Sequence, residues 1–292
     1  MKQISVLMST YNGEKYLETQ INSIINQKDV LVNLLVRDDG SKDATIEILE
    51  KYKKNNKLDW YSDVNLGPAR SFMDLIKNVD ECDYYSFADQ DDYWFEDKLK
   101  IGIEKLEKYD DIPAIYFCDK LIVDEKLSVL SEKTHEYIIS FESAMMRNIV
   151  TGCTLIINSK MREVLLEYIP QYLAMHDEWI YRVCISIGGK CIYDNGMHMK
   201  YRQHQNNVIG SGTIRGNMKR RVNNFINCPH ERSKTAKELL KGYSKYMNDY
   251  NIKVLEDIAN CRKIEILKNK KFKTESFEHD FMFKMATILN KI

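Results

Sequence analysis

The chain is poor in the residues that break regular structure, with 4 Pro and 12 Gly among 292 residues. That excludes collagen-like and Pro/Gly-rich low-complexity architectures, and no internal repeat is found. No uncharged apolar run reaches the length of about 18 residues that a transmembrane helix needs. The apolar run at residues 4–8 is too short for a signal peptide. None of the seven Cys forms a CxxC pair, so free thiols in a reducing cytosol are expected rather than zinc or a disulfide framework. Net charge is also lacking, with 43 basic against 43 acidic residues, and no nucleic-acid partner is expected. The balance hides an asymmetry. Residues 215–292 hold 18 Lys and Arg against 9 Asp and Glu, whereas residues 1–214 hold 25 against 34. The tail is therefore suited to an anionic surface and the front to a metal or other cation.

What remains is the composition of a soluble globular protein, 44% hydrophobic and 29% charged, long enough for one large core or for one core plus a helical appendage. Apolar periodicity predicts alternating elements in the first half: strands over 4–9, 30–36, 58–62, 84–88 and 113–118, and helices over 14–27, 43–54, 68–78 and 96–109. Pro68 suits the first turn of its helix. The β-α-β-α rhythm implies an α/β fold with a mostly parallel sheet flanked by helices. Further on, strands are expected at 151–157 and 197–202, and a helix at 177–187. From about 215 the pattern changes to Lys-rich helices, at 231–250, 253–267 and 275–290. Two units are expected, 1–214 and a basic helical region 215–292.

In parallel sheets ligands bind at the carboxyl ends of strands. That rule selects the loops 9–13, 37–42, 65–70 and 89–94, all polar or small in composition. The last is the most informative. In Ala88-Asp89-Gln90-Asp91-Asp92-Tyr93-Trp94 three carboxylates fall within four residues, directly after the apolar run Tyr84-Tyr85-Ser86-Phe87. Like charges that close repel unless a cation or strong donors sit between them. The pattern points to a divalent metal beside a phosphate-bearing ligand. Asp92 or Asp97 would serve equally as a cap for the helix at 96–109.

The segments Ile4-Ser5-Val6-Leu7-Met8-Ser9-Thr10-Tyr11-Asn12-Gly13, Arg37-Asp38-Asp39-Gly40-Ser41-Lys42-Asp43, Asn65-Leu66-Gly67 and Asp89-Gln90-Asp91-Asp92 occur in that order. Together they resemble a bacterial family 2 glycosyltransferase with the GT-A fold, over roughly residues 1–210. Within that family the Ala88–Trp94 stretch and Tyr201-Arg202-Gln203-His204-Gln205-Asn206-Asn207-Val208-Ile209-Gly210 are most similar to rhamnosyltransferase-like members. Residues beyond 210 match no family motif.

The resemblance implies a nucleotide-diphosphate sugar donor, Mn²⁺ or Mg²⁺ as cofactor, and a saccharide or lipid-linked saccharide acceptor of a cell-surface polysaccharide. It makes Asp91 a metal ligand, places Asp89 at the ribose or metal, and leaves Asp92 to hold the loop or position the acceptor. Asp39 would accept from the base or ribose, with Thr10 and Tyr11 shaping that pocket. Free amides at the helix start by Gly67, together with Arg70, would meet the diphosphate. His204 would be a third metal ligand or a diphosphate contact, although Gln205 stands where relatives usually have Gly. An inverting transfer needs a base, and Asp177 matches its position. Relatives more often carry Glu-Asp there, and His176-Asp177-Glu178 keeps Glu178 as an alternative. Gly152 is expected on the acceptor side, and Trp179 either against a sugar face or in the core.

The donor expected from the resemblance is dTDP-rhamnose, with a UDP-hexose as alternative. A catalytically silent nucleotide-sugar-binding partner is a third reading, opposed by the joint presence of Asp39, Asp89, Asp91 and Asp177. A nucleotidyltransferase would need a basic Gly-rich loop after the first strand, which Ser9–Glu14 does not provide; a phosphatase would need a Thr after its DxD. Lys219-Arg220-Arg221 with Val222, Phe225 and Ile226 would form a basic amphipathic surface for peripheral contact at the inner face of the plasma membrane. A homodimer contact is compatible with the same residues.

Overall fold

The computed structural model describes residues 1–204 and 230–292. The segment Gln205–Gly210 and the basic cluster Lys219-Arg220-Arg221 with Val222, Phe225 and Ile226 lie outside the described residues.

The strand-helix rhythm produces β1 (Gln3–Thr10), α1 (Leu17–Ile25), β2 (Leu31–Asp38), α2 (Thr45–Lys54), β3 (Asp59–Ser62), α3 (Pro68–Asn78), β4 (Tyr84–Ala88), β5 (Tyr93–Trp94), α4 (Lys98–Leu106), β6 (Ala114–Val123) and β7 (Val129–Ser131). Then come α5 (Phe141–Met146), β8 (Ile156–Asn158), α6 (Ser159–Leu166), α7 (His176–Ser186) and β9 (Lys190–Arg202). The C-terminal helices are α8 (Glu231–Tyr243), α9 (Asp249–Ala259), α10 (Lys263–Lys268) and α11 (Phe277–Ile288).

The nine strands among the described residues join one sheet, in the order β3-β2-β1-β4-β8-β6-β9-β5 with β7 beside β6. β1, β2, β3 and β4 pair in parallel, as do β6 and β9. β8 runs antiparallel between β4 and β6, and β5 antiparallel to β9. Most strands thus point one way, and the loops after β1 to β4 share one edge.

Alternation along β1 sorts the core. Ile4, Val6 and Met8 pack with Leu17, Ile21 and Ile24 of α1 and Leu99, Ile103 and Leu106 of α4. Leu7, on the other face, joins Phe72 and Leu75 of α3 and Trp179 and Ile180 of α7. The second cluster continues without a break into the C-terminal helices, through Leu239, Tyr243, Leu255 and Phe283.

Three expected elements differ. The strand placed at 151–157 is a 3-10 turn, Gly152–Thr154, followed by a short strand at β8. The helix expected over 231–250 ends at Tyr243, and the one expected over 253–267 is two helices separated by Cys261, which takes a positive φ of 51°. Apolar periodicity ran through these breaks because flanking residues on both sides face the same core. The strand expected at 197–202 is the end of the longer β9, whose polar first half hid it.

Candidate functional site

The first three loops are tied by their own side chains. Thr10 is fully buried, and its Oγ1 donates to Asp38 Oδ1 at 3.0 Å. Asp38 in turn accepts the amides of Gly40 and Ser41 at 3.0 and 2.9 Å, so it builds its own turn. Asp39 is buried beside it. Its oxygens accept from Arg37 and from the amides of Leu66 at 2.9 Å and Gly67 at 2.8 Å. Burial works to raise its pKa, but the donors from Leu66, Arg37, Ser71 and Gly67 outweigh it and hold the carboxyl below its ordinary value. The amides of Leu66 and Gly67, just before α3, are therefore occupied by Asp39. Arg70 is exposed, and one of its nitrogens donates to Gln171 O at 2.8 Å.

Arg37 is wholly buried, bound to Asp39, to Asp74 at 3.0 Å and to Val64 O at 2.8 Å. Removing one partner of a buried ion pair strands the other charge. Asp39→Ala is thus expected to lower stability by about 3 kcal/mol, read from the urea midpoint. An unchanged midpoint would mean that Asp74 alone satisfies Arg37.

Gln90, unassigned in the sequence reading, joins the first loop to the acidic loop. Its side-chain amide accepts from Tyr11 N at 2.9 Å and donates to Tyr11 O at 3.1 Å. Gly13 makes room for it, since a Cβ there would lie 2.2 Å from Gln90 Oε1. Tyr11 itself is half exposed.

In the acidic loop Asp91 Oδ2 lies 2.7 Å from His204 Nε2. The ring of His204 packs on Tyr16, with centroids 5.1 Å apart. Arg202 donates from its backbone to Asp92 Oδ1 at 3.1 Å and from Nε to Asp91 O at 2.7 Å, fixing the loop against the end of β9. Asp92 is fully buried, and its Oδ2 has no hydrogen-bond partner among the described residues. Burial and the charges of Asp91 and Asp89 raise its pKa well above the ordinary carboxylate value. Asp89 is pushed up to about 7 by burial, then by the charges of Asp91 and Asp177. One oxygen each of Asp89 and Asp92 and the thiol of Cys153 lie within 4.8 Å of one another. Asp97, the alternative cap of α4, makes no side-chain cap bond.

This arrangement fits a hard divalent cation. The carboxylates crowd at mutual cost, and one buried oxygen lacks a donor, which a positive ion relieves. Asp89 and Asp92, whose oxygens lie together, are the carboxylates that could hold it, and the Asp91–His204 pair on the same loop is the other candidate set. Cys153 is a poor oxygen-site ligand, and burial raises its thiol well above the ordinary value.

Asp177 stands at the start of α7, 5% exposed, and feels Asp89 electrostatically. Burial raises its pKa to about 7, although the amides of Glu178 and Gly152 pull the other way. Among the described residues it has no salt bridge. Glu178, the alternative base, is held by Arg182 Nη1 at 2.5 Å, so Asp177 is the carboxylate left available. Gly152 packs against this turn, and a Cβ there would lie 2.6 Å from His176 Nε2. His176 is buried on Phe72, with centroids 4.0 Å apart, and burial drives its pKa down to about 3. Trp179 is corrected from the acceptor side to the core. It is 2% exposed and packs on Tyr243 of α8, because α7 turns that face inward.

Lys120 was missed. Its Nζ donates to Thr151 Oγ1 at 2.6 Å, and its charge acts on both Asp89 and Asp177. The strand-end rule would have found it had the loop after the fifth expected strand, which closed at 118, been included.

The family model for glycosyl transferase family 2 matches residues 5–165. The dTDP-rhamnosyl transferase RfbG of Shigella flexneri is 31% identical over 274 residues, covering 81% of this chain and 89% of that protein. The abequosyltransferase RfbV of Salmonella typhimurium is 33% identical over 123 residues, 40% of this chain and 35% of RfbV. Among solved structures, Staphylococcus aureus TarS residues 1–349 in complex with UDP-GlcNAc superposes with a TM-score of 0.62 at 18% identity, over 100% of this chain and 82% of that one. The mannosyltransferase PcManGT of Pyrobaculum calidifontis, in complex with GDP-Man and Mn²⁺, superposes at 0.52 and 13%, over 99% and 87%. The fold is GT-A, with a helical C-terminal region.

Proposed function

This chain belongs to glycosyl transferase family 2, and from that premise we propose that it carries out a metal-dependent inverting transfer of rhamnose from dTDP-rhamnose to a saccharide acceptor borne on a lipid. The observation that carries the reading is Asp177, a buried carboxylate without a salt bridge among the described residues, in electrostatic reach of the acidic loop. An acceptor hydroxyl on its side attacks the anomeric carbon from the face opposite the nucleotide. Asp177 takes the hydroxyl proton as the new glycosidic bond forms and the bond to the diphosphate breaks. The departing nucleoside diphosphate carries away the electron pair. Lys120, whose charge acts on both Asp89 and Asp177, favours the ionised form of Asp177 and would supply positive charge beside the donor. Asp91 and His204, with Asp89, would hold Mn²⁺ or Mg²⁺, which would supply positive charge against the leaving diphosphate.

The rhamnose donor rests on the likeness to RfbG; the reading of residues 1–214 as the catalytic unit and 215–292 as its basic appendage rests on the change of pattern in the sequence. The enzyme would work at the inner face of the plasma membrane. A UDP-hexose donor is the second reading, favoured by the complexes of TarS with UDP and UDP-GlcNAc. Thermal shift with dTDP, UDP and their sugars, with and without Mn²⁺, separates them. Stabilisation by dTDP-rhamnose only when Mn²⁺ is present is expected; stabilisation by UDP-sugars alone would replace the donor, and no nucleotide effect would sink the reading.

The raised carboxyl groups give a pH dependence with a definite sign. Asp89 and Asp177 hold protons in the folded state up to about pH 7, where the unfolded chain has lost them. Between the unfolded and folded values the native state therefore binds more protons, and stability falls as pH rises. The melting temperature of metal-free protein is expected to be higher at about pH 5 than at about pH 8. Turnover should move oppositely, rising through about pH 7 as Asp177 ionises. A flat rate profile across that range would remove Asp177 as base.

A further inference from the structure

The outer surface of the last two helices is apolar where solvent meets it. On α11, Phe277, Phe281 and Ile288 recur at helical spacing with 84%, 53% and 50% of their surface exposed. The two phenyl rings stack at 6.4 Å. Ile264 of α10 is 65% exposed, and Lys263 Nζ donates to Ile288 O at 2.9 Å, which brings the two helices together. Single exposed apolar side chains are ordinary, but a grouped set marks a contact surface. The helices are not misfolded outward, because Ile266, Phe283 and Ala286 fill the core from their inner sides. Among the described residues nothing covers the outer face.

Charge identifies the occupant. Residues 263–292 hold 7 Lys against 4 acidic residues. Two of those acids already have partners, Glu275 with Arg147 at 2.7 Å and Asp280 accepting from Thr274 Oγ1 at 2.8 Å. A second copy of the chain docked here about a two-fold axis would set lysines against lysines. Phe277, Phe281 and Ile288 with exposed Lys284 at the same helical spacing suit the boundary between anionic headgroups and acyl chains.

We infer that the face of α10 and α11 built on Ile264, Phe277, Phe281 and Ile288 seats the protein on an anionic bilayer. The inner side of α11 is fastened to the acceptor side of the site. Arg147 binds Glu275 and lies 3.0 Å from His279, and the chain runs from Arg147 directly to Thr151 and Gly152. A saccharide carried on a membrane lipid would thus meet the site from the docked side. This deepens the lipid-borne acceptor reading and rests on it only for that last step.

The test is flotation of the full chain with vesicles of phosphatidylcholine alone or mixed equally with phosphatidylglycerol. Binding to the mixed vesicles is expected, weakening with salt. The Phe277→Ser/Phe281→Ser double variant should lose it by about tenfold, and Lys284→Glu should weaken it by a smaller factor. Both changes lie on exposed positions, and an unchanged melting temperature confirms folding. Equal flotation of variant and parent overturns the inference, as does equal binding to neutral and mixed vesicles. A shift in sedimentation mass with unaltered flotation assigns the face to a contact between copies instead. Nucleotide binding, followed separately by thermal shift, tests the glycosyltransferase reading without reference to the vesicles, so the two fail independently.

Discussion

Replacing Asp177 with Asn is expected to abolish sugar transfer while leaving donor binding intact. The side chain keeps its size, so the packing of Gly152 against His176 is undisturbed. What is lost is the acceptor of the hydroxyl proton. General-base contributions run to about 10²- to 10⁴-fold, so kcat should fall by that factor with little change in donor affinity. Calorimetric titration of the nucleotide sugar with Mn²⁺ present, beside a transfer assay, reads both quantities. Asn also removes a buried group with a raised pKa, so the variant should be at least as stable as its parent near neutral pH. Loss of transfer together with gain in stability separates a functional carboxylate from a structural one. Near-parental transfer would place the base elsewhere, and Glu178, held by Arg182, would be a poor second choice.

Asp91→Ala should remove the metal response. His204 then loses its contact with Asp91 at 2.7 Å, and one carboxylate ligand for the cation is gone. Donor binding in Mn²⁺ is expected to fall by about a hundredfold toward the metal-free level, with turnover falling at least as far. Titration with Mn²⁺ and nucleotide checks the first and a transfer assay the second. Unchanged Mn²⁺-dependent binding would rule Asp91 out as a ligand.

Much of the parallel half of the fold could be read from apolar periodicity because each of its strands is followed by a helix with one buried stripe, and the two periods leave distinct marks. The gathering of four polar loops at one edge of the sheet followed from the rule about strand ends. The sequence was less legible where one residue type serves two ends. Asp39 has the composition of a ligand contact, yet its nearest donors belong to the protein, and only the fold brings Leu66 and Gly67 to it. Trp179 reads alike as sugar platform and core, and burial against Tyr243, far along the chain, decides. Lys120 sits with Asp119 as a polar interruption between the apolar runs of β6, which reads as the end of the strand. The breaks in the C-terminal helices were hidden for the opposite reason, a signal that continued across them.

The Gln90 bridge has a consequence for changing the enzyme. Two bonds to Tyr11 and a tight seat over Gly13 lock the first loop to the acidic loop. Changing Tyr11 or its neighbours would therefore displace the carboxylates as well. The two loops are mechanically geared, and an attempt to alter one alone has to begin by re-fitting position 90.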